Sequence, residues 1–295
     1  MALNLTLLRS FYAVVDAGSV SRASRVGFSS QPGLSKAVRE LEKQLGVALL
    51  ERSTKGSTPT QAGRELFEYA RAIFALEARA EDALKAHKGL TATTLHIGAS
   101  TTIATYLLPP LLKGFSDLHP GIELSLSRGN TRDIEARMWN YEFDVALVSG
   151  LPHDPNLEKV AWREDEMVCI CAPDHPLARR ELVFADELTD SVWIVREEGS
   201  GTREVMERAL RPYSLLPRAR LEIGGCEALK QSVAVGLGIS FVSRQAAADQ
   251  LALGKLKRVR LGDIEVRLPF YFLHLPGRPL SPAARAFEAF LEQGV

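Results

Sequence analysis

The stretch Gly27-Phe28-Ser29-Ser30-Gln31-Pro32-Gly33-Leu34-Ser35-Lys36-Ala37-Val38-Arg39-Glu40-Leu41-Glu42-Lys43-Gln44-Leu45-Gly46 reads as a tight turn followed by a helix with both ends marked. Ser30 can cap the helix start, and Pro32 is tolerated in a first turn whose N–H groups have no intrahelical partner. Leu34, Val38, Leu41 and Leu45 recur at helical spacing as one apolar stripe, and Gly46 ends it. Lys36, Arg39, Glu40 and Lys43 lie off the stripe, so the helix buries one side and presents a polar, largely basic one.

Upstream, Leu5, Leu8, Phe11, Tyr12 and Val15 give a first helix, stopped at Asp16-Ala17-Gly18-Ser19, and a short second helix runs from about 20 to 26. Downstream, residues 48–52 and 57–59 read as two short strands of a hairpin with a basic tip. Thr60 then caps a long helix over about 61–88, whose Leu66, Ala70, Ile73, Leu76, Ala80 and Leu84 form a thin seam suited to pairing with another long helix. From Thr93 onward apolar runs alternate with helical patterns, the signature of strand-helix units and parallel sheets with ligands outside the strand carboxyl ends.

The chain of 295 residues, 46% hydrophobic and 24% charged, is long enough for two domains with cores of their own. Its 36 basic and 36 acidic side chains cancel. The cancellation hides a segregation: residues 1–60 hold eight basic against four acidic groups, residues 61–88 are neutral, and residues 89–295 are net −4. Three cysteines without metal-ligand spacing imply reduced thiols and no disulfide framework. The N-terminus lacks the signal-peptide pattern, and the charge-free stretch 89–112 is interrupted by Thr, Ser and Pro109-Pro110, so no membrane association is expected.

A helix-turn-helix needs a helix with polar and basic groups at its exposed N-terminal end, a second helix that fixes its angle, and cations along the phosphates. Ser29, Ser30, Gln31, Pro32, Ser35, Lys36 and Arg39 supply that surface for double-stranded DNA. Gln31 suits an adenine edge, Ser35 either strand, and Lys36 guanine or phosphate, while Arg52 and Lys55 on the hairpin suit neighbouring phosphates or a minor groove.

The ordered set Leu7-Leu8-Arg9-Ser10-Phe11, Gly18-Ser19-Val20-Ser21-Arg22-Ala23, Ser30-Gln31-Pro32-Gly33-Leu34-Ser35, Leu41-Glu42, Leu45-Gly46, Leu49-Leu50-Glu51-Arg52 and Thr60-Gln61-Ala62-Gly63 resembles LysR-type transcriptional regulators. The resemblance extends over essentially the whole chain. Ser24, Val26 and Gly33 depart from the usual Ala, Leu and Ala. It implies an N-terminal all-α winged helix-turn-helix with a long linker helix, and a C-terminal α/β effector domain of two Rossmann-like subdomains, similar to type II periplasmic binding proteins. The implied limits are 1–60 for DNA binding, 61–88 for linking and dimerisation, and 89–295 for the effector domain. Within that domain the implied division is about 91–161 plus 268–295 for subdomain I and about 162–267 for subdomain II. A homodimer through the linker helix, a homotetramer bending promoter DNA, contact with RNA polymerase and a cytoplasmic, nucleoid-associated bacterial location are further implications of the resemblance.

For the effector, two polar turns that open helices offer N–H groups and a partial positive charge: Ser100-Thr101-Thr102, and Gly199-Ser200-Gly201-Thr202 with Arg196 and Arg203 nearby. The resemblance adds Thr131 and Ser149. Together they imply a small anionic metabolite and no cofactor. Cys226, at a helix start after Gly224-Gly225, leaves open a redox-responsive regulator with a dipole-lowered thiol. Cys169 and Cys171 lie on an apolar strand and read as inert. An enzyme and a solute-binding protein fit these residues less well. Against an enzyme, the six histidines are scattered and no nucleophile elbow, metal cluster or carboxylate pair occurs. A solute-binding protein has no use for residues 1–88.

Overall fold

The computed structural model describes residues 3–25, 29–53, 56–87, 93–215 and 220–293. By internal contacts the chain separates into two units, Met1–Lys85 and Ala86–Val295.

In the first unit, α1 (Leu5–Asp16) starts where the Asn4 side chain accepts from the N–H groups of Thr6 and Leu7. α2 (Val20–Arg25) and α3 (Gln31–Leu45) follow. Leu34, Val38 and Leu41 of α3 bury with Leu8, Phe11 and Val14 of α1 and Ala23 of α2, each large side chain contributing about 2 kcal/mol of apolar burial. β1 (Leu50–Ser53) and β2 (Gly56–Pro59) pair antiparallel. α4 (Gln61–His87) begins where the Thr60 hydroxyl accepts from Gly63 N–H at 3.0 Å and donates to the Ala48 carbonyl at 2.8 Å. Gly27 and Phe28 of the expected turn, and residue 26 at the expected end of the second helix, lie outside the described residues.

The second unit opens with β3 (Thr93–Ser100), whose parallel neighbours are β4 (Ile122–Gly129) and β5 (Val145–Ser149). α5 (Leu108–Leu118) and α6 (Thr131–Trp139) connect them. β6 (Glu158–Cys171) is long: nine of its first ten residues, all but Trp162, pair with β11 (Val266–His274), and its last five with β9 (Ser240–Ser243) and β10 (Lys257–Val259). β7 (Trp193–Arg196) and β8 (Arg220–Ile223) form a separate parallel pair. α7 (Gly201–Leu210) and α8 (Cys226–Ala234) follow these strands, then α9 (Arg244–Ala252), and α10 (Pro282–Glu292) ends the unit. The unit thus has a first half around β3, β4 and β5 and a second half around the end of β6, with β6 and β11 running between them.

Several expectations need correction. Parallel pairing holds for β3, β4, β5, β7 and β8, but β6, β9, β10 and β11 pair antiparallel. β6 and β11 are themselves paired, so the main sheet is continuous through both halves, in the order β10-β6-β11-β5-β3-β4 with β9 on β6. The first half of β6 is a charged strand, outside the alternating apolar runs. A π-helical turn at Ile103–Leu107 precedes α5, where Leu108 N–H bonds to the Ile103 carbonyl. Pro109 and Pro110 have no N–H to close the ordinary turns, which permits the wider one.

Candidate DNA-reading surface and ligand cleft

α3 is held as its residues dictate: the Ser30 hydroxyl accepts from Gly33 N–H at 3.3 Å, Pro32 occupies the first turn, and Gly46 closes the helix at φ 72°. With the apolar stripe buried, Ser29, Ser30, Gln31, Pro32, Lys36 and Arg39 are exposed and Ser35 is half-buried. Neither Lys36 nor Arg39 forms an ion pair among the described residues, which leaves both cations available to phosphates. Arg22 and Arg25 of α2 are exposed as well, a basic extension not singled out from the sequence. Lys55 and the Arg52 side chain lie outside the described residues.

The cleft residues converge from distant parts of the chain. Ser100 ends β3, Ser149 ends β5, Thr131 opens α6 and Gly201 opens α7. The Ser100 hydroxyl lies 3.1 Å from that of Ser149 and accepts from Ser149 N–H at 3.1 Å. The Thr131 hydroxyl donates to the Ser149 carbonyl at 2.9 Å and accepts from Gly201 N–H at 3.3 Å. Ser200 and Thr202 share a 2.8 Å hydroxyl contact. All five hydroxyl side chains are buried, as is Thr102. Thr101 is half-buried and donates to the Gly129 carbonyl at 3.0 Å.

Backbone approach sets the closeness of the two halves here. A Cβ on Gly201 would fall 1.8 Å from the Ser149 carbonyl oxygen, and one on Gly150 2.7 Å from the Gly201 carbonyl oxygen. Gly199, at φ 81°, passes its carbonyl to Arg132 N–H at 3.2 Å. Asn130, which caps α6, also donates to the Glu198 carbonyl at 3.3 Å. Ser200 makes no side-chain cap on α7, and the Gly201 N–H goes instead to the Thr131 hydroxyl, so the positive end of the helix meets this hydroxyl cluster.

A second cluster brings Tyr106, from the π-helical turn, to the start of α8. Its hydroxyl donates to Glu227 at 2.9 Å, and the ring lies 4.7 Å from the Lys230 ammonium. Lys230 is buried, donating to the Ala246 carbonyl at 2.6 Å and pairing with Glu227 at 3.0 Å. Arg196, also buried, grips Glu197 through two 2.7 Å bonds. Burial raises the Glu197 carboxyl, but Arg196 and Gly225 N–H outweigh it and hold the group below the usual carboxylate range. Cys226 is 3% exposed, and burial pushes its thiol up despite Arg196 and Lys230. The dipole-lowered thiol expected at this helix start is therefore not found. Cys169 and Cys171 are buried in the sheet, the latter raised to about 11 by burial and Asp174.

Sequence reasoning missed Asn130, Lys230, Glu135 and His153. Asn130 carried a signal, a capping residue directly before Thr131. The others carried none, because a lone Lys, Glu or His is ordinarily a surface group.

The chain that places exposed cations on α3 and a cluster of buried hydroxyls at strand and helix ends matches known protein families over both units. Residues 5–64 match the bacterial regulatory helix-turn-helix protein, lysR family, and residues 88–295 match the LysR substrate binding domain. The chain belongs to the LysR family of bacterial transcriptional regulators. It is 34% identical over 291 residues to the RuBisCO operon transcriptional regulator of Allochromatium vinosum, covering 99% of this chain and 96% of that one. To the regulator CysL of Bacillus subtilis it is 33% identical over 92% of this chain and 90% of that one. The regulatory domain of Synechocystis PCC6803 CcmR in complex with 2-PG superposes with a TM-score of 0.62 at 33% identity, covering 68% of this chain and 96% of that one. Full-length CbnR complexed with its target DNA superposes with a TM-score of 0.76 at 21% identity, over 99% of this chain and 100% of that one, a likeness of fold. As a LysR regulator the chain binds DNA through its helix-turn-helix and carries an effector-binding domain. No helix among the described residues is long and apolar enough to cross a membrane.

Proposed function

We propose that this regulator reads double-stranded promoter DNA through Gln31, Ser35, Lys36 and Arg39, with Ser29, Ser30, Pro32, Arg52 and Lys55 positioning the backbone. A small anionic metabolite bound around Ser100, Thr101, Thr102, Thr131, Ser149 and the Gly199–Thr202 turn switches that binding or the bend it imposes. Cys226, buried at the start of α8, is assigned to the same effector-binding set. The functional limits follow the same scheme: 1–60 reads DNA, 61–88 pairs with a second copy, 89–295 senses, and two such dimers assemble on the promoter within reach of RNA polymerase in the cytoplasm.

The observation that carries the effector reading is the start of α7, which has no cap from Ser200 and whose first N–H meets the Thr131 hydroxyl, itself bonded to the Ser149 carbonyl at the end of β5. Such an end supplies N–H groups and partial positive charge to an anion. The regulatory domain of CcmR was solved with 2-PG, and small acids of that kind are the first ligands to try. Isothermal calorimetry of the full chain with 2-PG, small carboxylates, phosphate and sulfate is expected to find one binder, weakened about tenfold or more by Ser100→Ala through loss of a hydroxyl that can turn from Ser149 to an anion. Absence of binding by all of these, with an unchanged promoter footprint, would end the anionic-effector reading.

A further inference from the structure

The two halves of the effector unit also meet at a histidine outside the hydroxyl cluster. His153 lies in the loop that leaves β5. Its backbone N–H donates to Glu135 Oε1 at 2.8 Å, its Nδ1 lies 3.2 Å from Glu135 Oε2, and its Nε2 lies 2.5 Å from Glu204 Oε1. Glu135 projects from α6 in the first half and is 4% exposed, whereas Glu204 stands on the first turn of α7, which follows β7 of the second half.

An ionised carboxylate only accepts hydrogen bonds, and an imidazole offers two donors only when both nitrogens are protonated. With a carboxylate on each nitrogen, a neutral ring satisfies one and turns a lone pair toward the other, while the charged ring satisfies both. Burial raises the Glu135 carboxyl above the usual range, and its contacts to His153 pull it back in part. The surrounding charges are otherwise committed. From α6, Arg132 pairs with Glu198 and Arg137 with Glu142, and Asp133 is exposed. From α7, Arg203 pairs with Glu207 and Glu222, and Arg208 is exposed. Asp154, next in the chain, accepts from Trp139 Nε1 and Asn156 N–H. Among the described residues no cation other than His153 serves Glu135 and Glu204.

The geometry points to His153 as the positioning residue of cleft closure, its imidazolium clamping α6 to α7, so that closure is linked to proton binding. This rests on the reading of the cleft as the effector site, because Gly201, Thr202 and Glu204 share one helical turn. The closed arrangement places a carboxyl oxygen at each ring nitrogen, and only the doubly protonated ring can donate to both.

Hydrogen–deuterium exchange of the full chain, corrected for the intrinsic pH dependence of exchange, reads the opening of residues 201–206 at about pH 6 and about pH 8. In the unaltered chain protection is expected to fall about tenfold across that interval, the size of one charge-assisted hydrogen bond at a partly exposed site. His153→Gln and Glu204→Gln are expected to show low protection that does not change with pH. Glu204 is partly exposed, so its variant carries the test if His153→Gln fails to fold. A pH-independent unaltered chain, or unaltered pH dependence in a folded variant, overturns the clamp. No effector enters the measurement, so its outcome is separate from that of the anionic-effector reading.

Discussion

Gly201 shows how much rests on one missing side chain. Because a Cβ there would lie 1.8 Å from the Ser149 carbonyl oxygen, Gly201→Ala must push α7 away from β5. The expected result is a cost of about 1–3 kcal/mol in the effector unit, seen by scanning calorimetry, with loss of the ligand-induced thermal shift and retention of operator binding. Gly63 is the counterpart in the first unit, where a Cβ would meet the Leu49 carbonyl oxygen at 2.0 Å. Its place after Thr60-Gln61-Ala62 is part of the family likeness, and the physical requirement is the passage of α4 against the strand. Ser30 acts through a cap instead, and Ser30→Ala is expected to cost about 1 kcal/mol in chemical denaturation of the DNA-binding unit.

Among the elements, α3 and α4 follow from periodicity and caps because a helix is closed by neighbours three and four residues away. The α4 surface keeps Tyr69, Leu76 and Leu84 exposed at 71%, 46% and 64%, a cost that association with a second copy would remove. Leu76→Glu is expected to shift sedimentation from dimer or larger toward monomer and to weaken operator binding, since one reading head holds fewer phosphates than two. β6 could not be read in full. Lys159, Arg163, Glu164, Asp165 and Glu166 break the apolar run that marks a strand, and pairing with β11 supplies what side-chain burial does not.

For the molecule entire, zero net charge is a basic reading head set against an acidic sensing unit. Operator binding is therefore expected to fall steeply with salt although the pI is about 7. Lys36→Ala should lower affinity on all sequences and reduce the slope of log affinity against log salt by about 1. A chain comprising only residues 86–295 is expected to melt cooperatively and to leave DNA unbound, in keeping with two units each holding its own core.

Local features are legible from the order of residues alone: the helix-turn-helix, its caps at Ser30 and Thr60, the span of α4, the polar turns at Ser100 and Ser200, and the segregation of charge. Each depends on residues a few positions apart. Folding in three dimensions was needed to bring Ser100 to Ser149 across 49 residues and His153 to Glu204 across 51, and to bury the Cys226 thiol so that it is raised rather than lowered. Hydrogen bonding and desolvation act through space, and the crossing of β6 and β11 sets which distant residues share that space.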